Sequence, residues 1–246
     1  MPELHITPTA EEAAQSLGEL MVRLSRDSLA ERGRFIVALS GGATPRRLYQ
    51  LLASPSYAGR VAWGRWHVFW SDERCVPPDH PDSNYRLARQ ALLDRVPIPP
   101  ENIHRVRGDL EAADAAREYE GAVVQAFPDS QPAFDLILLG IGEDGHTASL
   151  FAATVALAEE RRLVVASWVF HLQASRITFT LPLINDARAV AFLATDGAKA
   201  EAVRRVLQPA PGESTLPASL VRPAHGALHW FLTRDAARLL GAVTAP

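Results

Sequence analysis

The feature that most constrains the fold is a set of short apolar runs, each followed by glycines or charged residues. Residues 35–39 (FIVAL) are apolar throughout and lead into SGG, and residues 134–139 (FDLILL) lead into GIG. Strands that read as near-continuous apolar runs are typical of parallel sheets buried on both faces. Segments with helical spacing separate these runs, and this alternation predicts an α/β fold with a mainly parallel sheet.

The remaining elements are predicted from spacing and from capping residues. A helix over 10–32 is expected, because Thr9 can cap its start and Gly33 supplies a stop. Further strands are predicted at 67–70, 103–106, 163–167, 177–181, 190–194 and 228–232. Further helices are predicted from Pro45 onward with Thr44 as the N-cap, at 84–96, at 110–127, at 199–207, and after Asp235.

Chain length and linker composition indicate one domain. The chain has 246 residues, which suits a single large α/β domain. Residues 208–214 (QPAPGES) have linker composition but lie too near the C-terminus to divide two hydrophobic cores. The prediction is therefore a single Rossmann-like domain over 1–246, with helices covering both faces of the sheet.

Composition excludes several function classes. A formal net charge of −3 gives no global attraction for nucleic acid or an anionic membrane, so neither is an expected partner. Cys75 is the sole cysteine, which rules out an intrachain disulfide and a four-cysteine zinc site. The N-terminus does not have the pattern of a signal peptide, and no apolar run approaches 18 residues. These features predict a cytoplasmic protein.

The glycine-containing loop at residues 40–45 (SGGATP) leaves one predicted strand and opens a helix. Ser40, Gly41 and Gly42 could let backbone N–H groups approach an anion at the helix start. An ordinary glycine turn explains the loop equally well. The loop lacks the Gly-Lys-Ser/Thr ending of a Walker loop and the third glycine of the dinucleotide fingerprint.

A second charged loop, residues 71–74 (SDER), follows the predicted strand at 67–70. Arg74 has the planar fork that suits a phosphate, and Asp72 could bind sugar hydroxyls or act as a base. A structural ion pair is the alternative interpretation.

The most informative segment is residues 140–147 (GIGEDGHT), at the end of the strongest predicted strand. His146 is suited to proton transfer because an imidazole titrates near neutral pH. Asp144, two residues earlier, could fix the tautomer of the ring. A histidine that merely caps a turn is the alternative.

Other candidate residues carry less information. Lys199 is the sole lysine and lies at a predicted helix start, which is unfavourable for stability and suits a residue that reaches for an anion. His225 and His229 are four residues apart but lack the glutamate of a zincin helix, so no metal site is predicted. The serine hydrolase motif Gly-x-Ser-x-Gly is absent from the sequence.

Taken in order along the chain, these motifs resemble the glucosamine-6-phosphate isomerase/6-phosphogluconolactonase family. The segments that carry the resemblance are LSGGATP (39–45), SDER (71–74), SNY (83–85), GIGEDGHTASLF (140–151), RIT (176–178), GAK (197–199) and PAS (217–219). The deaminases of the wider group have tyrosine where Arg74 stands, and Phe-Asn-Glu where residues 149–151 read SLF. Two departures from the lactonase pattern are Ala152, in place of a proline, and the segment 170–175 (FHLQAS).

The resemblance implies hydrolysis of 6-phospho-D-glucono-1,5-lactone to 6-phosphogluconate in the oxidative pentose phosphate pathway. His146 is then the general base on water, with Asp144 and Asp72 as further catalytic candidates. The expected substrate-binding residues are Ser40, Gly41, Gly42, Arg74, Asn84, Arg176 and Lys199. No redox or metal cofactor is implied, the partner is a phosphorylated sugar lactone, and the expected state is a monomer or weak homo-oligomer.

Two alternatives remain open at the level of sequence. One is a glucosamine-6-phosphate deaminase or isomerase with Asp72 as base. The other is a non-catalytic sugar-phosphate-binding module, which the fold class permits.

Overall fold

A computed structural model describes residues 1–128 and 131–241, over which the chain forms nine strands and seven α-helices. The strands are β1 (Glu3–Thr7), β2 (Phe35–Leu39), β3 (Trp66–Trp70), β4 (Asp72–Arg74), β5 (Leu136–Leu139), β6 (Val164–Val169), β7 (Ala174–Phe179), β8 (Ala189–Ala194) and β9 (Ala227–Thr233). The helices are α1 (Ala10–Arg32), α2 (Ala43–Leu52), α3 (Pro55–Ala58), α4 (Asn84–Ala91), α5 (Ala112–Gln125), α6 (Leu181–Asn185) and α7 (Ala200–Leu207). The prediction of one domain over 1–246 extends beyond these residues and stays a prediction.

Six strands form a parallel sheet in the order β1-β9-β8-β5-β2-β3. Every residue of β2, β5 and β8 is buried, which explains why their sequences are apolar on both faces. The predicted α/β fold with a mainly parallel sheet is confirmed.

Alternate residues of each strand supply two separate cores. Phe35, Val37 and Leu39 of β2 pack in the core under α1, α2 and α4. Ile36 and Ala38 point the other way, into the core under α5 and α7. Helices therefore cover both faces, as predicted.

A second sheet of three antiparallel strands, β4-β7-β6, contributes to the same core as α5. In its register Asp72 lies opposite Thr178, and Arg74 lies opposite Arg176. The prediction that residues 71–74 are a loop is wrong for 72–74. After Ser71, whose N–H still donates to the Leu39 carbonyl at 2.9 Å, the chain leaves the parallel sheet and enters the small one.

Several predicted boundaries need correction. Helix α1 is confirmed, with Thr9 and Gly33 as its caps. Helix α2 begins at Ala43 rather than Pro45, because Gly42 at φ 93° takes the N-cap position predicted for Thr44. The helix predicted at 84–96 ends at Ala91 and continues as a short 3-10 turn.

Two predicted elements do not form. The prediction of a strand at 103–106 is wrong, since only Ile103 pairs, in an isolated bridge to Val68. The chain then turns, and Gly108 lies against the Arg74 carbonyl. The helix after Asp235 is replaced by turns, and the Thr233 hydroxyl accepts the Ala236 N–H there. Strand β1 was not predicted, because as an exposed edge strand it lacks an apolar run.

The strand order reverses between β2 and β5, which places the loops after these strands on opposite sides of a crevice. In open α/β sheets such a crevice at the carboxyl ends is where ligands bind. Across the described ranges, no helix combines the length and the apolar character needed to cross a membrane.

Candidate active site

A cleft of about 380 Å³ opens where β2, β4, β5 and β8 end. Eight of the ten predicted site residues line it: Ser40, Gly41, Gly42, Asp72, Arg74, Asn84, His146 and Lys199. Asp144 lies behind His146, and Arg176 lines an adjoining cavity that also includes Arg74. Another cavity, of about 420 Å³, is lined near the start of β9 by mainly apolar residues and has Glu3 and Arg222 as its charged side chains.

The glycine loop after β2 is shaped by its neighbours. A Cβ on Gly41 would lie 1.8 Å from the Asn84 side-chain oxygen, so only glycine lets the two segments meet. Gly42 has φ 93°, a conformation that L side chains rarely adopt, and it opens α2 toward the cleft. The Tyr49 hydroxyl donates to the Ser40 carbonyl at 2.6 Å and accepts the Ser40 N–H at 3.0 Å.

Asp72 is buried at the cleft wall and its carboxylate has defined partners. One oxygen accepts the Ser149 hydroxyl at 2.7 Å, and the other accepts the Asn84 amide at 3.3 Å. The same amide donates to the Asp72 carbonyl at 2.9 Å. Asp72 therefore joins the loop after β5 to the start of α4, and Ser149 is a participant that sequence reasoning missed.

Glu73 has a structural role that sequence reasoning also missed. Its buried carboxylate accepts the N–H groups of Arg74, Asn84 and Tyr85, each at 2.8 Å, and the Ser83 hydroxyl at 3.1 Å. Burial raises the pKa of Glu73, although these hydrogen bonds act in the opposite direction. Glu73 thus caps α4, and this arrangement replaces the structural ion pair considered for residues 71–74.

Arg74 and Arg176 are neighbours across two antiparallel strands. Arg74 donates to the Asp82 carbonyl at 2.6 Å, and Arg176 donates to the Ser175 carbonyl at 3.2 Å. Burial, followed by the adjacent Arg74 charge, lowers the pKa of Arg176. Within residues 1–128 and 131–241 neither guanidinium pairs with a carboxylate, so both retain capacity for an anion.

His146 and Asp144 form a close pair in the loop after β5. The Nδ1 atom of His146 lies 2.5 Å from an Asp144 carboxylate oxygen, and the same oxygen accepts the His146 backbone N–H at 3.1 Å. Partial burial raises the pKa of Asp144, but the hydrogen bonds from His146 outweigh it and lower the pKa overall. An ionised Asp144 accepts a hydrogen bond from the Nδ1–H of His146, and this tautomer leaves the Nε2 lone pair free.

Glycine and an aromatic ring fix the orientation of this pair. A Cβ on Gly142 would lie 2.1 Å from His146 Nδ1 and 2.5 Å from the Asp144 carboxylate. The His146 ring stacks on Phe151 with centroids 4.1 Å apart, and Phe151 in turn meets His171 edge-on at 5.1 Å. Ala148, which lines the cleft, has φ 47°, an uncommon value for a residue other than glycine.

Lys199 reaches the cleft from the short turn before α7. Its ammonium lies 3.4 Å from an oxygen of Glu143, whose side chain is exposed. Asp196 caps the same turn by accepting the Ala198 N–H at 2.9 Å. Glu143 was not predicted, although its position beside Asp144 in the GIGEDGHT segment was a usable signal.

A parallel α/β sheet with a His–Asp pair and several cations at its carboxyl edge is typical of enzymes that act on small anionic molecules. The family described as "Glucosamine-6-phosphate isomerases/6-phosphogluconolactonase" matches residues 8–230. The chain belongs to this family.

Relatives and solved structures similar to this chain include several that are named 6-phosphogluconolactonases. A 6-phosphogluconolactonase of Nostoc sp. is 43% identical over 224 residues, which cover 89% of this chain and 90% of the relative. A probable chloroplastic 6-phosphogluconolactonase 3 of Oryza sativa is 40% identical over 256 residues, covering 98% and 76%. The structure of 6-phosphogluconolactonase from Trypanosoma cruzi superposes with a TM-score of 0.88 at 27% identity and covers 98% of each chain.

Proposed function

We propose that this chain hydrolyses 6-phospho-D-glucono-1,5-lactone to 6-phosphogluconate. The enzyme class is supported by the relatives named above, which are 6-phosphogluconolactonases and align with nearly the whole chain. The single observation that carries the chemistry is the His146–Asp144 pair at the edge of a cleft that Arg74 and Lys199 also line.

His146 acts as the general base in this proposal. With Nδ1–H held by Asp144, Nε2 takes a proton from water as the water oxygen bonds to the lactone carbonyl carbon. The bond between that carbon and the ring oxygen then breaks, and the ring oxygen receives the proton from His146. The ring is opened without a covalent enzyme intermediate, because a lactone is already an activated ester.

The remaining residues bind and orient the substrate. The N-terminus of α2 at Gly41 and Gly42 offers backbone donors, while Arg74, Arg176 and Lys199 supply positive charge for the phosphate and the developing oxyanion. Ser40 and Asn84 line the same wall of the cleft. Asp72, with its carboxylate held by Ser149 and Asn84, positions sugar hydroxyls.

The test is hydrolysis of the lactone generated in situ at slightly acidic pH, where spontaneous opening is slow. We expect His146→Ala to lower the rate about 10²- to 10⁴-fold, which is the range for loss of a general base. His225→Ala, at an exposed histidine that does not line the cleft, should leave the rate unchanged and serves as the matched control. Full activity in the folded His146→Ala protein would contradict the assignment.

The alternative functions are not favoured. A deaminase or isomerase would use Asp72 as its base, but the relatives named above are 6-phosphogluconolactonases. Release of ammonia from glucosamine 6-phosphate is the direct test of that alternative. A non-catalytic binding module would bind sugar phosphate without accelerating hydrolysis of the lactone.

The cellular setting is also part of the proposal. We place the reaction in the oxidative pentose phosphate pathway, with a cytoplasmic protein that is a monomer or weak homo-oligomer and binds neither nucleic acid nor membrane. One relative, from Oryza sativa, is named as chloroplastic.

A further inference from the structure

A cluster of three potential metal ligands lies on the edge of the parallel sheet. Glu3 and His5 are two residues apart on β1 and so point to the same face of the strand. In the register with β9, Glu3 lies opposite His229. The pairing of these two strands therefore brings together side chains that are 224 residues apart in sequence.

The distances within this cluster suit a single bound ion. The Nδ1 atom of His229 lies 3.2 Å from a Glu3 carboxylate oxygen and 3.4 Å from His5 Nε2, and His5 Nε2 lies 3.9 Å from the same Glu3 oxygen. Ligands about 2.0–2.1 Å from a tetrahedral zinc ion are about 3.3 Å from one another. The observed edges lie near that value without any change of backbone.

The two imidazoles and the carboxylate turn their polar atoms toward one another. His5 Nε2 and His229 Nδ1 face each other, and both face the Glu3 carboxylate. An imidazole nitrogen that carries no proton presents the lone pair that binds a metal ion.

Packing holds the two rings in place. The His5 ring stacks on Phe231 of β9 with centroids 4.3 Å apart and an interplanar angle of 6°. The His229 side chain is only 5% exposed, whereas that of Glu3 is 62% exposed and can adjust to an ion. One buried ligand, one stacked ligand and one adjustable carboxylate form an accessible site.

We propose that Glu3, His5 and His229 bind one divalent transition-metal ion of borderline softness, with zinc as the best fit to two imidazoles and a carboxylate. A water molecule would complete a tetrahedral set. The site lies among the first residues of β1 and β9, at the opposite end of the parallel strands from the catalytic cleft. Its effect is to fasten the edge strand β1 to β9. His229 was considered with His225 in the sequence, but its partners come from the other end of the chain.

The experiment is equilibrium dialysis of the purified, chelator-treated protein against zinc chloride, paired with thermal unfolding. The wild-type chain should bind one more equivalent of zinc than the His5→Gln/His229→Gln double variant. At a free zinc concentration of about 100 times the dissociation constant, the Tm should rise by about 5–10 °C. The double variant should lose this rise.

Matched variants separate this site from other histidines. His225→Gln should keep both the equivalent of zinc and the Tm rise. His146→Ala should keep both as well, and it tests whether the imidazole in the cleft is the zinc ligand instead. Glu3→Gln, a surface change that does not threaten folding, should weaken zinc binding at least tenfold, since even loss of an outer-shell partner costs about 10- to 100-fold. Lactonase activity reports whether each non-catalytic variant is folded.

Two results would overturn the proposal. One is equal zinc stoichiometry and equal Tm response in the wild-type chain and in Glu3→Gln or the double variant. The other is loss of the bound equivalent in His225→Gln or His146→Ala. Because zinc binding is measured without substrate, its failure leaves the lactonase proposal unaffected.

Discussion

At the scale of single residues, the site depends on contacts that leave no room for larger side chains. Gly142 has no Cβ because the space is taken by the His146–Asp144 pair, and Gly41 has none because Asn84 fills it. These glycines are needed for packing, whereas Gly42 is needed for its backbone conformation. The glycine-containing segments after β2 and β5 are thus closely packed in the folded protein.

Gly142→Ala tests this packing. The added methyl group must displace His146 or Asp144, so we expect kcat to fall by a factor approaching that of His146→Ala, with little change in the free energy of unfolding. The comparison is Gly64→Ala, where a Cβ meets nothing within 4 Å. Wild-type kcat in Gly142→Ala would show that the observed orientation of the pair is not required for hydrolysis.

Glu143→Gln tests whether Lys199 faces the phosphate. The Glu143 carboxylate competes with substrate for the Lys199 ammonium, but as an exposed partner it is worth at most about 1 kcal/mol. We expect KM for the phosphorylated lactone to fall by up to about fivefold. KM for the unphosphorylated lactone should not change, and an equal fall for both would assign Lys199 to the carbonyl instead.

At the scale of elements, two tyrosines complete the backbone hydrogen bonding at the ends of β2 and β3. Tyr49 of α2 bonds both backbone groups of Ser40 after β2, and Tyr119 of α5 bonds both backbone groups of Trp70 at the end of β3. Each hydroxyl accepts an N–H and donates to a carbonyl of the same residue, as a neighbouring strand would. The buried backbone N–H and C=O groups at these strand ends therefore keep hydrogen-bond partners.

Tyr49→Phe should loosen the glycine loop. It leaves the Ser40 N–H and carbonyl without their partner, so we expect the free energy of unfolding to fall by about 1–3 kcal/mol in urea denaturation. KM should rise more than kcat falls, because Ser40 lines the cleft but takes no part in the His146–Asp144 hydrogen bond. Tyr57→Phe is the control: its hydroxyl has a long 3.5 Å contact to the Gln15 carbonyl and otherwise meets the exposed side chains of Glu19 and Arg60, so stability should change little.

Elements with a strong local signal were predictable from the sequence, and those defined by distant partners were not. Helix α1 and strands β2 and β8 are specified by caps or continuous apolar runs, and their predicted positions agree with the structure within a residue. The sequence predicts a loop where β4 lies, because three charged residues form a strand only when β7 is beside them.

The same reasoning applies to the site. Sequence motifs pointed to His146 and Asp72, since both follow strands of the sheet. They could not reveal Ser149 bonded to Asp72, or Glu73 capping α4, because these contacts depend on how the loops pack in three dimensions.

At the scale of the whole molecule, resistance to acid should depend on the half-buried histidine His104 staying neutral. His104 stacks on Phe69 at 4.3 Å, and its Nε2 is buried without a partner among the described residues. Burial, with a smaller contribution from His67, lowers the pKa of His104 to about 4. Protonation therefore places a charge where nothing compensates it.

The sign of the pH effect follows from this lowered pKa. The unfolded chain, with a histidine pKa near 6.5, binds more protons than the folded one, so the stabilising contribution is complete above about pH 6.5 and is lost as the pH falls toward about 4. His104→Phe should reduce the loss of unfolding free energy between pH 6.5 and pH 5 by about 1–2 kcal/mol. Equal losses in variant and wild type would assign the acid sensitivity elsewhere.

The position of β9 between β1 and β8 has a consequence for biosynthesis. Of the strands described, the one made last is inserted beside the one made first, so the parallel sheet cannot be completed while the ribosome is still translating residues 227–233. Until then β8 has an unpaired edge and β1 has no strand to join, and such edges favour association between nascent chains. The β1–β9–β8 part of the sheet can therefore form only after residues 227–233 have been synthesised.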